Sequence, residues 1–308
     1  MKVAFCGSGH FAELCLKKIS SEIKIEWVIT NAPKPAGRGM ELHPTAVQLL
    51  AEESGIECKT TARLSADEEL INWITAEAID VIIVVDFGHI VKEPILSHPE
   101  IGCINIHPSR LPQFRGAAPL QRAIMSGLDK TAVTVFRLNE GMDSGPVLCA
   151  EEVEIKHDET YEQLLEKTAE VGSEILLHYI KDIPAENWIF TEQEQNGVSL
   201  APKINKAEGH IEWSMQPDEV INKLRAIRNT PGVFTFFKKK RIRLFEAEKA
   251  YHHGKSGELV EIENGYPIIA CGEASIKLIE VQPEGKKRQS AKDWLMGARL
   301  KKGDMLEA

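Results

Sequence analysis

The chain has 308 residues, of which 43% are hydrophobic and 27% are charged, and its formal net charge is −9. This length and apolar content predict one large or two ordinary globular domains, and they exclude a disordered or fibrous protein. No stretch approaches the roughly 18 uninterrupted apolar residues of a membrane-spanning helix, and no apolar export signal follows Lys2.

Cysteine spacing argues against a metal site or a disulfide framework. No Cys-x-x-Cys pair occurs among the cysteines, which fall singly at Cys6, Cys15, Cys58, Cys103, Cys149 and Cys271. Isolated thiols in apolar contexts are typical of reduced cysteines in a cytosol. We therefore expect a cytoplasmic protein without a bound metal.

Charged residues are distributed unevenly along the chain. Residues 201–308 carry 20 Lys and Arg against 15 Asp and Glu, whereas the whole chain carries 37 against 46. A basic C-terminal third on an acidic chain suggests a polyanionic partner, because Lys and Arg neutralise phosphates in nucleic-acid complexes. A solvated basic face without a partner would give the same counts.

In chain order, β-rich runs first alternate with amphipathic helical runs, over residues 3–6, 11–19, 23–30, 44–53 and 66–78. This rhythm predicts βαβ units and a parallel sheet. Residues 80–86 are apolar on both faces, as a central strand covered by helices must be, and residues 102–106 predict a second such strand. A strand at 133–138 and a long helix at 159–181 follow.

The pattern changes after that long helix. A helix predicted at 217–227 is followed by short strands separated by glycines, which is typical of a small β barrel. We therefore predict an α/β domain with a Rossmann-like parallel sheet at 1–189, a linker at 190–206 and a barrel domain at 207–308.

Glycines directly after the first predicted strand have the spacing of a dinucleotide-binding fingerprint. They are Gly7 and Gly9, with Ala12 in the third position. A dinucleotide site also needs a carboxylate after the second strand to hold a ribose, and the chain has Thr30 to Pro33 there. The glycines therefore fit a tight turn better than an NAD site, and a dehydrogenase stays a minor alternative.

The strongest motif runs from Asn105 to Pro119, at the end of the second apolar strand, where ligands bind in open parallel sheets. Because side chains alternate along a strand, Asn105 and His107 are expected to point the same way. An amide donor and an imidazole could then act on one reacting atom. Either residue taken alone would more often be structural.

A glycine-flanked loop, Gly141 to Gly145, follows the strand predicted at 133–138 and contains Asp143. If Asp143 lies beside His107, its carboxylate would hold the imidazole in one tautomer, as a site that deprotonates an amine requires. An Asx turn between two glycines is the alternative structural interpretation.

The motifs resemble those of the formyl-folate-dependent transferases, and the resemblance covers nearly the whole chain. The runs 105–116 and 141–145 are similar to the catalytic core of that family. The loop 35–39 resembles the tRNA-reading loop of the methionyl-tRNA formyltransferases. The second domain of these enzymes is an OB-like barrel, and the C-terminal runs that resemble it are 201–204, 231–235 and 282–287.

The resemblance implies transfer of a formyl group from 10-formyltetrahydrofolate to the amino group of methionyl-initiator tRNA, without a metal. Asn105 would hold the formyl oxygen, and His107 and Asp143 would manage the proton of the amine. The implied folate-binding residues are Asp86, Phe87, Gly88, Ser109, Leu111, Pro112 and Gly141. The implied tRNA-binding residues are Lys34, Arg38, Lys203, Lys238, Lys240, Arg241, Lys286 and Lys287. The family more often has another residue at the position of Asp86. We expect the protein to be a monomer.

Two further interpretations stay open. A folate-dependent formyltransferase of nucleotide sugars or other small amines would need the same three catalytic residues, and only the acceptor side would distinguish it. A small acceptor of this kind has no evident need for a loop with Arg38 or for a basic barrel. A folate-binding or tRNA-binding protein without turnover would not need Asn105, His107 and Asp143 together.

Overall fold

The computed structural model describes residues 1–36 and 41–307. The chain separates into two compact units. The first comprises residues 1–119, 130–154 and 162–202, and the second comprises residues 120–129, 155–161 and those from Lys203 onward. The domain boundaries predicted at 189 and 206 stay a prediction, and two short segments of the predicted first domain are grouped with the second unit.

The first unit is built on one seven-stranded sheet with the order β5-β2-β1-β6-β7-β8-β9. The short strands β3 and β4 pair with each other outside it. The bounds in chain order are β1 Val3–Gly7, β2 Ile25–Asn31, β3 Lys34–Ala36, β4 Glu41–His43, β5 Glu57–Thr61, β6 Val81–Val85, β7 Gly102–His107, β8 Lys130–Arg137 and β9 Val147–Glu154.

Helices connect these strands, and none in the described ranges is long and apolar enough to cross a membrane. Two helices begin with side chains of the types preferred at the N-cap position. The side chain of Thr45 accepts a hydrogen bond from Gln48 N, and that of Asp67 accepts one from Leu70 N. The bounds are α1 His10–Ser20, α2 Ala46–Glu53, α3 Glu68–Ala76, α4 Pro119–Met125 and α5 Tyr161–Asp182. Short 3-10 turns lie at Leu64–Ala66, Ala185–Asn187 and Lys206–Gly209.

Strand β6 is buried on both faces, as its uniformly apolar sequence predicts. Ile82 and Val84 pack in one cluster with Leu70 and Ile74 of α3, whereas the alternate residue Ile83 is fully buried on the opposite face. Burial of both faces requires helices on both sides of the sheet. The Rossmann-like arrangement predicted for this part of the chain is therefore confirmed.

One helix approaches the sheet closely at a glycine. A Cβ atom on Gly172 of α5 would lie 2.4 Å from Ile106 Cγ2 and 2.8 Å from Val133 Cγ1. Only a residue without a side chain allows this spacing, so α5 packs directly behind the strand that carries the Asn105 motif.

The sheet departs from the prediction at β8, which is antiparallel to β7 and to β9. Arg137 at the end of β8 lies opposite Ile104, in the body of β7. The loop after β8 therefore starts away from the end of β7 and has to return toward it. This loop connects β8 to its antiparallel neighbour β9. The pattern of apolar residues does not indicate the direction of a strand, so the sequence did not predict this arrangement.

The second unit contains an antiparallel sheet with the order β10-β11-β14-β13-β12, and β15 pairs with β14. This confirms the predicted second domain of short strands, in which the described strands form an antiparallel sheet. The bounds are β10 Val233–Phe237, β11 Lys240–Ala250, β12 Leu259–Glu263, β13 Tyr266–Cys271, β14 Ala274–Pro283, β15 Gln289–Ser290, α6 Pro217–Ile227 and α7 Ala291–Ala298.

The C-terminal segment links the two edges of this second sheet. Phe236 of β10 and Glu307 exchange two backbone hydrogen bonds of 3.2 and 2.7 Å, and Leu306 N donates to Gly257 O at 2.8 Å, just before β12. Among residues 203–307, β10 and β12 do not pair with each other. The edges meet only through this segment, so the barrel-like connection is made by isolated bridges and not by a closed ladder.

Candidate active site

Asn105 and His107 lie on the same face of β7 as Cys103, at the end of the strand. His107 is buried and Asn105 is half-buried. Within the described residues, Asn105 Oδ1 is buried and has no hydrogen-bond partner. A buried side-chain oxygen without a protein partner is unusual, and it is available to a ligand that donates a hydrogen bond.

His107 is fixed from one side by the backbone. Its Nε2 lies 3.0 Å from the carbonyl oxygen of Phe114. Because a carbonyl only accepts hydrogen bonds, Nε2 carries the proton in the neutral ring, and Nδ1 has a free lone pair. Nδ1 lies 3.9 Å from Asp143 Oδ2, which is too long for a direct hydrogen bond, and a proton donor that approaches from the side could bond to both atoms.

The loop with Asp143 crosses back over the sheet to reach His107. Leu138 N donates to Cys103 O at 2.7 Å, and a Cβ atom on Gly145 would lie 1.9 Å from Arg137 O, so the loop lies tightly against β8. Asp143 has a φ of 47°, and its Oδ2 accepts a hydrogen bond of 2.7 Å from Gly116 N. The structure therefore brings together the two motifs that the sequence analysis singled out.

Gln193 holds this loop, and the sequence analysis missed it. Its side chain is buried, and its Nε2 donates to the carbonyl oxygens of Asp143 and Gly145 at 2.9 and 2.8 Å. Its Oε1 accepts from both Nε and Nη2 of Arg115, at 3.2 and 2.6 Å. One amide therefore connects the Asp143 loop to the Asn105 motif.

The segment predicted as a linker is part of the site. Residues 190–202 belong to the first unit, and Arg115 exchanges backbone hydrogen bonds of 2.9 and 2.7 Å with Ser199 and Ala201. Gly116 has a φ of 123°, and a Cβ atom on it would lie 2.7 Å from Ala201 O. The composition of this segment is polar, like that of a loop. An isolated extended segment that pairs through its backbone has no periodic pattern of apolar residues, so the sequence did not indicate this pairing.

Replacing Gln193 with alanine is expected to lower kcat about 10-fold, because the Asp143 carboxylate is no longer held in a fixed position beside His107. It also removes buried hydrogen bonds, so the free energy of unfolding should fall by about 1–3 kcal/mol. Steady-state kinetics and chemical denaturation measure both effects. Gln48→Ala, which removes one contact with Glu52 on α2, is the matched control.

Gln193→Glu distinguishes positioning from simple destabilisation. Glutamate keeps the oxygen that accepts from Arg115 but places a second oxygen against the carbonyls of Asp143 and Gly145. We expect kcat to fall further than in Gln193→Ala. Equal kcat in the wild type and in Gln193→Glu would contradict a positioning role.

The predicted folate-binding segment 109–112 is held in a fixed turn. Ser109 is fully buried, and its hydroxyl donates to Gln113 O at 2.7 Å. Thr134 Oγ1 donates to Ser109 O at 2.6 Å, and the peptide between Leu111 and Pro112 is cis. The Ser109 side chain therefore organises the turn, and contacts with a ligand are left to the backbone, Leu111 and Pro112.

The other predicted folate-binding residues lie in two loops. Phe87 is buried in the core cluster beside α3, so only its backbone is available to a ligand, whereas Gly88 is exposed with a φ of 75°. Gly141 is exposed in the Asp143 loop, and its N donates to Asn139 Oδ1 at 3.0 Å. Both loops therefore have an exposed glycine, and the role of these residues in folate binding stays a prediction.

The backbone amides of the glycine loop after β1 already form hydrogen bonds within the protein. Ser8 N and Gly9 N both donate to the carbonyl oxygen of Asp86, at 3.1 and 3.2 Å. The Asp86 carboxylate lies where a Cβ atom of Gly9 would be, with Oδ2 at 1.6 Å. Two amides that would cradle a pyrophosphate are used, and a carboxylate covers them. This geometry argues against the dinucleotide interpretation.

A cavity of about 310 Å³ opens beside this loop, at the ends of β1, β2 and β6. Its size is at the lower end of small-molecule sites. It is lined mainly by polar side chains and glycines, and the lining residues with the clearest chemistry are Ser8, Asn31, Lys34, His43, Thr45 and Asp86.

Predicted tRNA-binding residues fall in both units. Lys34 is exposed at the start of β3 and lines this cavity, whereas Arg38 lies outside the described residues. Lys203 is exposed at the start of the C-terminal part of the second unit. These positions test neither the role of Lys34 nor that of Arg38.

Two basic turns of the second unit lie side by side, as the β11 and β14 pairing requires. Lys238 and Lys239 form the turn before β11, both with positive φ, and Lys286 and Lys287 are exposed in the turn after β14. Arg241 N donates to Glu284 Oε2 at 3.2 Å, and Glu284 N donates to Arg241 O at 2.9 Å. The predicted basic residues of these two turns therefore form one surface, which comprises Lys238, Lys240, Arg241, Lys286 and Lys287.

Aromatic rings beside this surface face the guanidinium groups of three arginines, of which the sequence analysis assigned Arg241 but not Arg243 or Arg288. The Cζ of Arg241 lies 3.9 Å from the ring centroid of Phe234, and that of Arg288 lies 4.2 Å from the ring centroid of Phe245. Arg243 faces Phe245 at 5.0 Å. The alternation of aromatic and basic residues across β10 and β11 is the signal that would have identified them.

Comparison with known families defines the class of protein. The pattern described as "Formyl transferase" matches residues 1–180, and the one described as "Formyl transferase, C-terminal domain" matches residues 203–299. Together they cover both units. The chain belongs to the formyl transferase family.

Particular relatives narrow the comparison. The chain is 37% identical over 309 residues to a methionyl-tRNA formyltransferase of Rickettsia rickettsii, covering 100% of both chains. It is 34% identical over 312 residues to one of Caldicellulosiruptor saccharolyticus, covering 99% of this chain and 100% of the other. In fold it is similar to an N-formyltransferase of Helicobacter canadensis crystallised with folinic acid and dTDP-3-aminofucose, with a TM-score of 0.64, 19% identity and coverage of 90% and 98%.

Proposed function

We propose that the chain acts as a cytoplasmic monomer and transfers the formyl group of 10-formyltetrahydrofolate to the amino group of methionyl-initiator tRNA. The observation that carries this proposal is the arrangement at the end of β7. His107 Nδ1 and Asp143 Oδ2 lie 3.9 Å apart, and Asn105, whose Oδ1 has no partner among the described residues, lies two residues before His107 on the same face of β7. Full-length identity to methionyl-tRNA formyltransferases supports the choice of acceptor.

The chemistry needs a base and an oxyanion donor. The neutral amine attacks the formyl carbon, a C–N bond forms, and the carbonyl oxygen becomes an oxyanion that the Asn105 amide stabilises as a hydrogen-bond donor. His107 Nδ1 takes the proton released by the amine, and Asp143 stabilises the resulting imidazolium. The bond from the formyl carbon to N10 of the folate then breaks, and N10 receives a proton.

The folate fits the open loops around β7. The backbone of Phe87 and Gly88, the cis turn at Leu111 and Pro112, and the exposed Gly141 would face the pterin and its linker to the formyl group. Backbone donors and acceptors suit a heterocycle that presents both on one edge. No side chain of these five residues supplies a charge, so the ring is selected by shape and hydrogen bonding.

The basic residues would bind the acceptor tRNA. Lys34 and Arg38 would contact the acceptor end near the active site, and the basic turns of the second unit would bind the phosphate backbone. The excess of Lys and Arg in residues 201–308 supports this assignment on a chain whose net charge is −9.

Formyl transfer from 10-formyltetrahydrofolate tests the proposal directly. Methionyl-initiator tRNA, methionyl-elongator tRNA and a panel of amino nucleotide-sugars would each be offered as acceptor under identical conditions. Selective formylation of the initiator tRNA is the expected result. Formylation of an amino sugar in preference to tRNA would transfer the same catalytic residues to the small-amine alternative and would leave the basic surface unexplained.

Charge removal on the basic turns is expected to weaken tRNA binding in a salt-dependent way. Lys240→Ala and Lys287→Ala should each reduce the slope of log Kd against log salt concentration by about 0.7–0.9, because each lost phosphate contact releases fewer counterions. kcat at saturating tRNA should not change. Filter binding or fluorescence titration at several salt concentrations gives the slope.

Lys301→Ala is the matched control for these variants. Lys301 is exposed in the same unit, but it lies after α7 and outside both basic turns. Its removal should leave the salt slope close to that of the wild type. An equal loss of slope in Lys301→Ala would indicate a diffuse charge effect and would remove the argument for a defined phosphate-binding surface.

A further inference from the structure

One hydrogen bond determines which nitrogen of His107 carries the proton. Nε2 lies 3.0 Å from the carbonyl oxygen of Phe114, and in the described part of the chain the ring forms no other hydrogen bond. A histidine without such a partner exchanges between its two neutral tautomers, and only the tautomer protonated at Nε2 leaves Nδ1 free as a base. The position of the Phe114 carbonyl is therefore a condition of the chemistry.

Phe114 holds this carbonyl in an unfavourable backbone conformation. Its φ of 56° lies in the left-handed region, which bulky residues rarely adopt. Such a conformation persists only where surrounding groups enforce it, and without them Phe114 would return to a negative φ. A change of φ turns the peptide group that carries the carbonyl, so Nε2 of His107 would lose its partner.

Ser199 binds both peptide groups next to the Cα atom of Phe114. Its hydroxyl oxygen accepts a hydrogen bond of 2.9 Å from Phe114 N, and its carbonyl oxygen accepts one of 2.9 Å from Arg115 N. Arg115 N belongs to the same peptide group as the carbonyl that contacts His107. Because each peptide group is a rigid plane, fixing both of them fixes φ and ψ of Phe114 together.

The position of Ser199 does not depend on its hydroxyl. Ser199 N donates to Pro112 O at 3.3 Å, and two residues later Ala201 N donates to Arg115 O at 2.7 Å. These bonds join backbone atoms, so they survive a change of the Ser199 side chain. Loss of the hydroxyl would therefore leave the segment in place and release only the amide of Phe114.

We propose that Ser199 is a positioning residue for formyl transfer and that its hydroxyl acts through Phe114 on His107. The hydroxyl holds the Phe114 amide, the fixed backbone presents the carbonyl to Nε2, and Nδ1 keeps its lone pair for the proton of the amine. No described contact joins Ser199 to His107 directly, so the effect passes through Phe114. This inference rests on the proposed role of His107 as the base.

The tautomer of His107 gives a readout that a purely structural role would not change. Nitrogen-15 NMR distinguishes protonated from unprotonated imidazole nitrogens, and the His107 signals are those missing from His107→Ala. Near pH 8.5, where an ordinary imidazole is neutral, the wild type should have a protonated Nε2 and an unprotonated Nδ1. Ser199→Ala should give signals averaged between the two tautomers. Ser199→Thr keeps a hydroxyl on Cβ and should restore the wild-type pattern.

The rate of formyl transfer should follow the tautomer. In single-turnover experiments with both substrates saturating, we expect Ser199→Ala to lower the rate by about 10- to 100-fold, the effect of misplacing a catalytic group by about 1 Å. Ser199→Thr should stay within a few-fold of the wild type. If Ser199→Ala does not fold, Ser199→Cys replaces it, because a sulfur atom is only a weak acceptor.

A double variant tests whether the hydroxyl acts through His107. Ser199→Ala introduced into His107→Ala should cause no further loss of rate, because the group that it positions is already absent. Losses that multiply in the double variant would show that Ser199 acts by another route, such as the turn at Leu111 and Pro112, and would overturn the proposal.

Ser290→Ala is the matched control. Ser290 is half-buried like Ser199, and its hydroxyl also accepts a hydrogen bond from a backbone amide, that of Lys292 at 3.2 Å, at the start of α7. Both alanine variants lose one bond of the same type, so both should slightly lower the midpoint of chemical denaturation. Only Ser199→Ala should change the tautomer and the rate. An equal loss of rate in Ser290→Ala would attribute the effect to destabilisation and would contradict a positioning role.

Failure of the proposed function would look different from failure of this inference. If His107→Ala kept full turnover, the base would be another group, and a positioning role of Ser199 in catalysis would be excluded with it. If His107→Ala lost turnover but Ser199→Ala kept the wild-type tautomer pattern, the proposed function would stand and only the inference about Ser199 would be wrong.

Discussion

Replacing His107 with alanine is expected to lower kcat by about 10²–10⁴-fold, the usual contribution of a positioned general base. The imidazole has one nitrogen fixed by the Phe114 carbonyl and the other directed at the space in front of Asp143. KM for both substrates should change by less than a few-fold, because the ring is buried and offers little binding surface.

Single-turnover formyl transfer, with folate and tRNA both saturating, measures this loss without interference from product release. His178→Ala is the matched control, since His178 is an exposed histidine on α5 whose Nδ1 lies 3.0 Å from Asp182 Oδ2. Full turnover in His107→Ala would refute the assignment of proton transfer to this residue.

Asn105→Ala should lower kcat by about 10²–10³-fold, equivalent to the 2.7–4 kcal/mol lost with one oxyanion donor. The fold should tolerate the change well. Asn105 Oδ1 is buried without a partner in the described part of the chain, and removing such a group recovers a desolvation cost. We therefore expect a Tm equal to or above that of the wild type.

Asn105→Asp separates charge from shape at the same position. A carboxylate has nearly the same size as the amide but would repel the developing oxyanion, so kcat should fall below that of Asn105→Ala. Steady-state kinetics and thermal unfolding of both variants, measured side by side, give the comparison. Retention of kcat within a few-fold in either variant would move the oxyanion contact to another donor.

Several elements of both units were predictable because the local sequence encodes them. The apolar run from Val81 to Val85 predicted a central strand, and the structure buries it on both faces. Helix α6 begins and ends at the predicted residues, with Pro217 in its first turn and a capping box formed by Gln216 and Glu219. Local chemistry determines such elements, so local sequence reports them.

Strands β5 and β9 were not predicted, and each lies at an edge of the main sheet. Edge strands commonly contain charged residues, because the edge of a sheet faces solvent. Strand β9 contains three glutamates, Glu151, Glu152 and Glu154. Their pairing depends on neighbours that are distant in sequence. Propensity alone therefore underestimates the width of the sheet.

Residues of the candidate site divide in the same way. Asn105 and His107 were predicted to share a face because they are two residues apart on one strand. Their proximity to Asp143 was only a hypothesis, because it depends on β8 running antiparallel to β7 and on the loop returning across the sheet. Gln193 was not predicted, since an isolated glutamine in a polar segment carries no local signal.

The sequence by itself determined the class of chemistry, the two architectures and the basic character of the C-terminal third, because motifs, hydrophobic period and charge are local properties. The tertiary structure alone decided which groups meet. It placed Gln193 between Arg115 and the Asp143 loop, and it set the Asp86 carboxylate over Gly9. These contacts join residues far apart in the chain, and only the packing of strands and loops fixes such distances.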